Sequence, residues 1–526
     1  MTEALIEMKD WIAFFPFVEP RTEQIDAINF TLNAYLREGK KFVLLEAGTG
    51  VGKSAIAVTV SRFFDSLQGG GAYVLTSQKI LQSQYLRDFS KFGLRSLKSA
   101  DNYMCENGMT CAVTKRVARA CMRAPECAAT CPYSADKKAF IESPLGVTNY
   151  AYFMNEATYA GKLEPRNLLV LDEAHQTEKI LTTFSSVDVS DSINRSVLGK
   201  TRIRIPFGSS HDDAFEWISD PYRKALANGK LKLAREIAKG KLGENAERYS
   251  RVDKHLCRVN RFVERYKPED WIFCEDNDRN GKVMSFKPIR VDSVSHETLF
   301  ERGKYVLMLS ATILDKDTFC RWVGLKPEEV AYMDVDCPFP VENRPVHYLP
   351  VGKMNRAEID ATLPKVVEIV KGLLDLHSEE KGIIHAVSHK IARYIKDNVK
   401  SPRLLYRDDG DRDAMIREHA TRTDASVMLS PSMTEGVDLV DDLSRFQIFV
   451  KVPFPNMGDA VIAKRMQLDS KWYALETTRT MVQGAGRSIR NMEDKASTYI
   501  LDASFSYFYE KNKEMFPESF RKSLKS

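Results

Sequence analysis

A glycine-rich segment near the start of the chain limits the possible fold more than any other feature. It reads Ala47-Gly48-Thr49-Gly50-Val51-Gly52-Lys53-Ser54. This is a Walker A loop with alanine in its first position. Its glycines let backbone N–H groups turn inward around phosphate oxygens, Lys53 adds a positive charge, and the Ser54 hydroxyl is a typical Mg²⁺ ligand. An apolar strand at residues 41–46 precedes the loop, and a helix is predicted from Ser54. This context favours a nucleotide-binding α/β domain over a chance glycine-rich turn.

A second phosphate-handling motif follows another apolar strand. Residues 168–171 lead into Asp172-Glu173-Ala174-His175, a DEAH box. Asp172 is predicted to hold Mg²⁺, and Glu173 to orient and deprotonate an attacking water. His175 is predicted to connect the nucleotide site to neighbouring motifs. Acids are also favoured at helix starts by the helix dipole, but their place downstream of a Walker A loop favours the catalytic interpretation.

Short apolar strands alternate with helical stretches, which predicts an α/β fold with parallel sheets covered by helices. The strands expected in the first half end near Thr76, Asp172 and Thr312. The pattern restarts after about residue 340, which predicts a second α/β domain. Its expected strands lie at residues 382–388, 426–432, 446–454 and 497–504. Two segments interrupt the first domain, one rich in cysteine and one rich in basic helices. In the second, Asn280-Gly281 predicts a β-hairpin turn.

The second half of the chain carries a glycine- and arginine-containing motif, Gln483-Gly484-Ala485-Gly486-Arg487-Ser488-Ile489-Arg490. Arg487 and Arg490 lie three residues apart, so they would share one face of a helix. Two guanidinium groups on one face can clamp a γ-phosphate across a domain cleft. A solvated basic helix end is the alternative, but Gly484 and Gly486 would weaken a purely structural helix.

Five of the nine cysteines are concentrated in one short segment, at positions Cys105, Cys111, Cys121, Cys127 and Cys131. In a chain with no recognisable secretory leader, such a cluster predicts metal binding more than disulfides. Four thiolates hold either a tetrahedral zinc ion or a [4Fe–4S] cluster, and the spacing leaves both open.

The composition is that of an ordinary globular protein, with 526 residues, 43% hydrophobic and 28% charged. The length predicts two to four units. The net charge of +5 does not by itself indicate nucleic-acid binding, although a local basic groove needs no large net charge. No long apolar run and no leader are recognisable, so a cytoplasmic or nucleoid-associated location is expected.

In combination and order, these motifs resemble superfamily 2 helicases, and within them the XPD/DinG family of iron–sulfur DNA helicases. Further matching elements are Arg21-Thr22-Glu23-Gln24, Thr76-Ser77-Gln78 with Gln82 and Gln84, Asn149-Tyr150, Ser310-Ala311-Thr312, residues 382–388 and Thr434-Glu435-Gly436-Val437-Asp438. The resemblance covers almost the whole chain. One departure is His385-Ala386-Val387, which stands where the family usually has aromatic residues.

The resemblance implies two RecA-like P-loop domains, with a small iron–sulfur domain and a helical arch inserted in the first. The expected bounds are 1–100 with 146–189 and 291–340 for the first motor domain, 101–145 for the iron–sulfur domain, 190–290 for the arch and 341–526 for the second motor domain. The implied nucleotide-binding residues outside the Walker A loop are Arg21, Gln24, His175, Gly436, Asp438 and Gln483. The implied cluster ligands are Cys105, Cys121, Cys127 and Cys131, with Cys111 as a spare or an alternative to Cys121.

By resemblance, the expected activity is ATP- and Mg²⁺-dependent translocation from 5′ to 3′ on single-stranded DNA, with unwinding of tailed duplexes by a monomer. The basic segment 190–290 would lie over the strand. Two other functions stay open from the residues: an ATPase that clamps or remodels nucleoprotein complexes, and an RNA helicase.

Overall fold

The computed structural model describes residues 10–48, 50–120, 130–160, 163–199, 203–278, 281–335, 339–408, 411–431, 441–489 and 493–525. The strands are β1 Phe42–Ala47, β2 Ala72–Thr76, β3 Leu94–Ser96, β4 Leu145–Asn149, β5 Arg166–Asp172, β6 Val187–Ser190, β7 Trp271–Asp278, β8 Gly281–Pro288, β9 Gly303–Ser310, β10 Val330–Val335, β11 Val346–Gly352, β12 Gly382–His385, β13 Leu404–Leu405, β14 Val427–Ser430, β15 Phe446–Phe449, β16 Ser497–Asp502 and β17 Leu524–Lys525.

The helices pack on these strands and connect them. They are α1 Thr22–Leu36, α2 Lys53–Gln68, α3 Lys79–Phe89, α4 Cys111–Ala120, α5 Pro132–Glu142, α6 Tyr150–Asn155, α7 Thr177–Ser185, α8 Asp191–Leu198, α9 His211–Trp217, α10 Arg223–Ala238, α11 Gly243–Arg265, α12 Asp292–Thr298, α13 Lys316–Val323, α14 Ile359–Leu376, α15 His389–Val399, α16 Arg412–Thr421, α17 Ala460–Leu468, α18 Ser470–Ala485, α19 Ser504–Asn512 and α20 Glu518–Ser523. Among the helices described, none is both long and apolar enough to cross a membrane.

The first sheet has seven strands in the order β10-β1-β9-β5-β2-β4-β3, all paired in parallel. Every residue of β1 is buried, as expected for a parallel strand with both faces covered. Strand β9 lies between β1 and β5, and Leu309 is in register with both Leu45 and Asp172. The Walker A loop and the acidic motif therefore leave the same edge of the sheet, where parallel sheets bind ligands.

The second sheet also has seven parallel strands, in the order β13-β14-β12-β15-β16-β11-β17. The four strands expected from the second half of the sequence correspond to β12, β14, β15 and β16. The predicted α/β fold with two parallel sheets is thus confirmed.

A third, smaller unit lies between α7 and α12 in the chain. Its antiparallel sheet has the order β6-β8-β7, and its core includes apolar residues of α8 to α11 such as Leu226, Val252 and Phe262. Asp278 pairs with Gly281, so the hairpin predicted from Asn280-Gly281 is present, although Asn280 itself is outside the described residues. The unit boundaries expected from the sequence stay predictions.

The two parallel-sheet domains are held together by a buried arginine. Arg465, on α17 of the second domain, lies 2.5 Å from Glu178 on α7 of the first. Its guanidinium also donates to the Thr182 hydroxyl at 3.0 Å. The same group lies 5.4 Å from the ring centres of both Trp322 and Trp472, a cation–π distance. This joint sets the relative position of the two domains on either side of the cleft between them.

Candidate active site

The Walker A loop runs from β1 into α2 through two glycines with left-handed backbones, Gly50 at φ 86° and Gly52 at φ 91°. A Cβ on Gly50 would lie 2.1 Å from the Phe339 ring, and one on Gly52 would lie 2.2 Å from the Gln24 amide nitrogen. Side chains are therefore excluded at both positions by conformation and by space. Lys53 Nζ donates to the Ala47 carbonyl at 3.0 Å. Thr49 lies outside the described residues.

Arg21 and Gln24 both donate hydrogen bonds to backbone carbonyls of this loop. Arg21 Nη1 donates to the Gly50 carbonyl at 2.7 Å, and Gln24 Nε2 donates to the Val51 carbonyl at 2.9 Å. The Gln24 Oε1 atom also accepts from the Arg21 backbone N–H at 3.0 Å. These two residues, expected to bind nucleotide, thus hold the loop backbone directly.

The acidic motif starts where β5 ends. Asp172 is 5% exposed; its Oδ1 accepts from the Glu173 backbone N–H at 3.0 Å, and its Oδ2 accepts from the Tyr85 hydroxyl at 3.1 Å. Burial, and next the charge of Glu173, raise the pKa of Asp172 to about 6, while Lys53 opposes the shift. Glu173 has a left-handed backbone at φ 54°, a conformation that costs a non-glycine residue about 1–3 kcal/mol. The strained residue lies directly after the end of β5, and strained backbone conformations are concentrated at functional sites.

His175 connects three segments across the cleft. Its Nδ1 lies 2.9 Å from the Ser310 hydroxyl, and its Nε2 lies 2.8 Å from Gln483 Nε2 on α18. The Gln483 amide also donates to the Thr312 hydroxyl at 2.7 Å. Arg479, one turn earlier on α18, donates to the Thr312 carbonyl at 3.0 Å. Hydrogen bonds therefore link α18 of the second domain to Thr312 and to the segment that follows the acidic strand.

A cleft of about 550 Å³ lies between the two parallel sheets. The first domain lines this cleft with residues that include Gly48, Glu173 and His175. The second domain lines it with residues that include Gln483 and Arg521. The volume is within the range of about 300–1,000 Å³ that small-molecule sites occupy. Of the residues that the sequence assigned to the nucleotide site in the first domain, Gly48, Glu173 and His175 thus line this cavity.

The arginine motif differs from its expected conformation. Helix α18 ends at Ala485, and Arg487 lies in the 3₁₀ turn Gly486–Ser488. The prediction of one shared helix face for Arg487 and Arg490 is therefore wrong in its geometry, because the helix stops before the first arginine. The side chain of Arg487 and the whole of Arg490, Gly436 and Asp438 lie outside the described residues.

Sequence reasoning missed Glu46, the residue just before the loop. It accepts from the Leu314 backbone N–H at 3.0 Å and from the Tyr332 hydroxyl at 2.7 Å. Burial raises its pKa to about 7, and the Tyr332 hydrogen bond opposes that shift. Leu314 has φ 66°, so a strained turn after Thr312 is anchored to the end of β1. A single acid in an otherwise apolar buried strand was the signal that could have identified it.

Three cysteines meet in a buried group. The sulfur atoms of Cys105, Cys111 and Cys131 all lie within 4.8 Å of one another. Cys111 is central, at 2.9 Å from Cys105 and 3.8 Å from Cys131. The expected ligands Cys121 and Cys127 lie outside the described residues. Three converging buried thiols have donor chemistry that suits a cysteine-bound metal centre, and Cys111, expected to be a spare or an alternative to Cys121, lies in this group.

Two protein families match the chain. Residues 17–193 match the type III restriction enzyme res subunit family, and residues 382–523 match the helicase C-terminal domain family. Paired parallel-sheet domains with a P-loop and an acidic strand end facing the cleft define a two-domain helicase fold.

Known proteins are similar over much of this length. The ATP-dependent DNA helicase DinG of Photobacterium profundum is 21% identical, over 71% of this chain and 67% of its own. A regulator of telomere elongation helicase 1 homolog of Anopheles gambiae is 30% identical, over 18% of this chain and only 11% of its own length. A solved XPD helicase structure superposes with a TM-score of 0.68 at 16% identity, covering 95% of this chain and 99% of that one. The structure of S. tokodaii Xpd4 superposes with a TM-score of 0.62 at 14% sequence identity, covering 96% of this chain and 99% of that one. Over both parallel-sheet domains the chain is thus similar to helicase families, and its fold is that of the solved XPD helicase structures.

Proposed function

We propose that this protein is an ATP-dependent DNA helicase that moves from 5′ to 3′ on single-stranded DNA and separates duplexes ahead of it. One observation carries the proposal: the His175 network joins the acidic strand end to Thr312 and, across the cleft, to Gln483 of the second domain. A motor needs such a connection, because hydrolysis on one domain must change the position of the other. The names of the DinG and YoaA relatives, both DNA helicases, support DNA as the polymer.

Hydrolysis is assigned to residues of the Walker A loop and of the acidic motif after β5. Lys53 and the backbone N–H groups of the loop would hold the phosphates, and Ser54 and Asp172 would hold Mg²⁺, which neutralises charge on the triphosphate when bound. Glu173 would orient and deprotonate the attacking water. The left-handed backbone of Glu173 aims its side chain back over the strand end and into the cleft.

The second domain is assigned the role of completing the site. Arg487 and Arg490 would neutralise charge on the transferring phosphate, an effect typically of 10³ to 10⁵ in rate. Gly436, Asp438 and Gln483 would contact nucleotide from the same side. Ser488, next to Arg487, is fully buried and accepts from Gln447 Nε2 at 3.0 Å, which anchors the turn that carries the arginine.

The cysteine group is assigned a [4Fe–4S] cluster. Cys105, Cys111 and Cys131 would supply three thiolates, and either Cys121 or Cys127 the fourth. When bound, the cluster would supply a rigid cross-link between the segments that carry Cys105, Cys111 and Cys131. Its role here is mechanical, because it would fix the small domain that parts the duplex.

The proposal is tested by measuring ATP hydrolysis with single-stranded DNA and RNA of increasing length. We expect DNA stimulation that rises with strand length, as translocation requires, and a loss of about 10²-fold or more in Lys53→Ala. Lys304→Ala is the matched control, since Lys304 is exposed at the start of β9, where it bonds to the Gln68 side chain and lies over the Tyr305 ring. Stimulation that does not depend on length would favour a clamp or remodelling ATPase instead, and stronger stimulation by RNA would favour an RNA helicase.

A further inference from the structure

A buried tyrosine outside every sequence motif contacts Asp172, one of the residues assigned to Mg²⁺. Tyr85 is 2% exposed, and its hydroxyl donates to Asp172 Oδ2 at 3.1 Å. This hydrogen bond connects α3, which carries Tyr85, with the end of β5, which carries Asp172.

The helix that carries Tyr85 reaches other parts of the motor. On α3, Lys79 donates to the Asn102 side chain at 3.0 Å, close in sequence to the cysteine group. Gln82, fully buried, donates to the Leu97 carbonyl at 2.8 Å. Leu81 and Gln84 line the interdomain cleft. A single helix of eleven residues therefore touches the nucleotide site, the cleft and the segment before Cys105.

Resting on the proposed helicase function, we propose that Tyr85 is a positioning residue that couples Mg–ATP binding to the placement of α3, and through α3 to the grip on the nucleic-acid strand. Asp172 accepts a hydrogen bond from this phenol, so a shift of the Asp172 side chain is passed to the helix that carries Tyr85. Coupling of this kind is reciprocal. If bound Mg–ATP changes the affinity for the strand by a given factor, then a bound strand changes the affinity for Mg–ATP by the same factor.

The hydroxyl, rather than the ring, carries this role. The ring packs 5.8 Å from the Phe89 ring and belongs to the apolar core between α2, α3 and the sheet. Phenylalanine keeps that packing and removes only the oxygen, so Tyr85→Phe should fold normally. Tyr73→Phe is a matched control, because Tyr73 is equally buried in β2 but donates to the Glu164 carbonyl, away from the cleft.

The experiment measures binding of labelled single-stranded DNA by anisotropy, with and without Mg²⁺ and a non-hydrolysable ATP analogue. In the wild type and in Tyr73→Phe we expect the analogue to change DNA affinity within the usual range of about 5- to 150-fold. In Tyr85→Phe the analogue should change DNA affinity at least about fivefold less, with affinity in its absence unchanged. The Mg²⁺ concentration for half-maximal ATP hydrolysis should also rise, a shift that a purely structural role would not produce.

The outcomes separate the two proposals. Unchanged coupling and unchanged Mg²⁺ dependence in Tyr85→Phe overturn the role of Tyr85 and leave the helicase assignment intact. An equal loss in Tyr73→Phe also overturns it, because the effect is then one of general core stability. If the wild type binds no nucleic acid, or binds it with no response to the analogue, the proposed function fails and the role of Tyr85 fails with it.

Discussion

Replacing Arg465 with methionine tests whether the joint between the two parallel-sheet domains depends on one buried ion pair. The side chains of Arg465 and Glu178 are only 7% and 12% exposed. Methionine keeps apolar contact with Trp322 and Trp472 but leaves the Glu178 carboxylate without its cation. Burial already raises the pKa of Glu178, and Arg465 opposes that shift. The variant therefore leaves a buried carboxyl that must either stay charged without a partner or take up a proton.

Loss of one member of a buried ion pair typically costs about 3–5 kcal/mol, since the remaining charge has lost its water and its partner. We expect Arg465→Met to lower the stability of the joint by that amount. Adding Glu178→Gln removes the orphaned charge, and the amide oxygen can still accept the Trp472 indole N–H, which lies 3.0 Å from Glu178 Oε2. The double variant should therefore be more stable than Arg465→Met, with a coupling energy of about 1–3 kcal/mol.

Urea titrations followed by tryptophan fluorescence measure this effect, because two of the five tryptophans lie at the joint. Because domains can unfold separately, the free energy of the first unfolding transition is compared among the variants. Arg290→Met is the matched control: its ion pair with Asp292 at 2.9 Å is half-exposed, and its loss should cost under about 1 kcal/mol. The reasoning is refuted if Arg465→Met costs no more than this control, or if the double variant loses the sum of the two single effects.

Two further predictions concern buried acids and thiols. Because burial raises the folded-state pKa of Glu46 from 4.5 to about 7, the stability that it contributes is fully present below pH 4.5 and is lost as the pH rises through 7. Thermal unfolding measured across this pH range should show a smaller fall in stability for Glu46→Gln than for the wild type, by up to about 3 kcal/mol. An equal fall in both proteins would contradict a buried neutral carboxyl at Glu46. Cys111→Ser should lose most of its iron, measured by absorbance and iron content after anaerobic purification. Cys320→Ser, which changes a fully buried cysteine in another part of the core, should retain its iron, and equal iron in both variants would remove Cys111 from the ligand set.

The parts of the fold that the sequence predicts are those with a local cause. Apolar runs ending in a glycine loop or an acid pair identify β1 and β5, because a parallel strand buries both faces and its functional residues follow its carboxyl end. The hairpin of β7 and β8 follows from its turn residues in the same way. These features depend on a few consecutive residues, so a single sequence is enough to find them.

Contacts between distant segments were not predictable. The bond between Tyr85 and Asp172 joins residues 87 positions apart, and that between Arg465 and Thr182 spans 283. No local pattern distinguishes these tyrosine and arginine residues from others until the sheet order brings them together. The end of α18 at Ala485 was also missed, because the arginine spacing suits a helix and the chain instead turns at Gly486.

Unwinding of tailed duplexes distinguishes a helicase from other DNA-stimulated ATPases. Protein purified without oxygen is mixed with Mg²⁺, ATP and duplexes that carry either a 5′ or a 3′ single-stranded tail, with Lys53→Ala as the control. The account predicts strand separation from the 5′ tail alone, abolished in the control. Failure to unwind either duplex, while DNA still stimulates ATP hydrolysis, would contradict the helicase assignment.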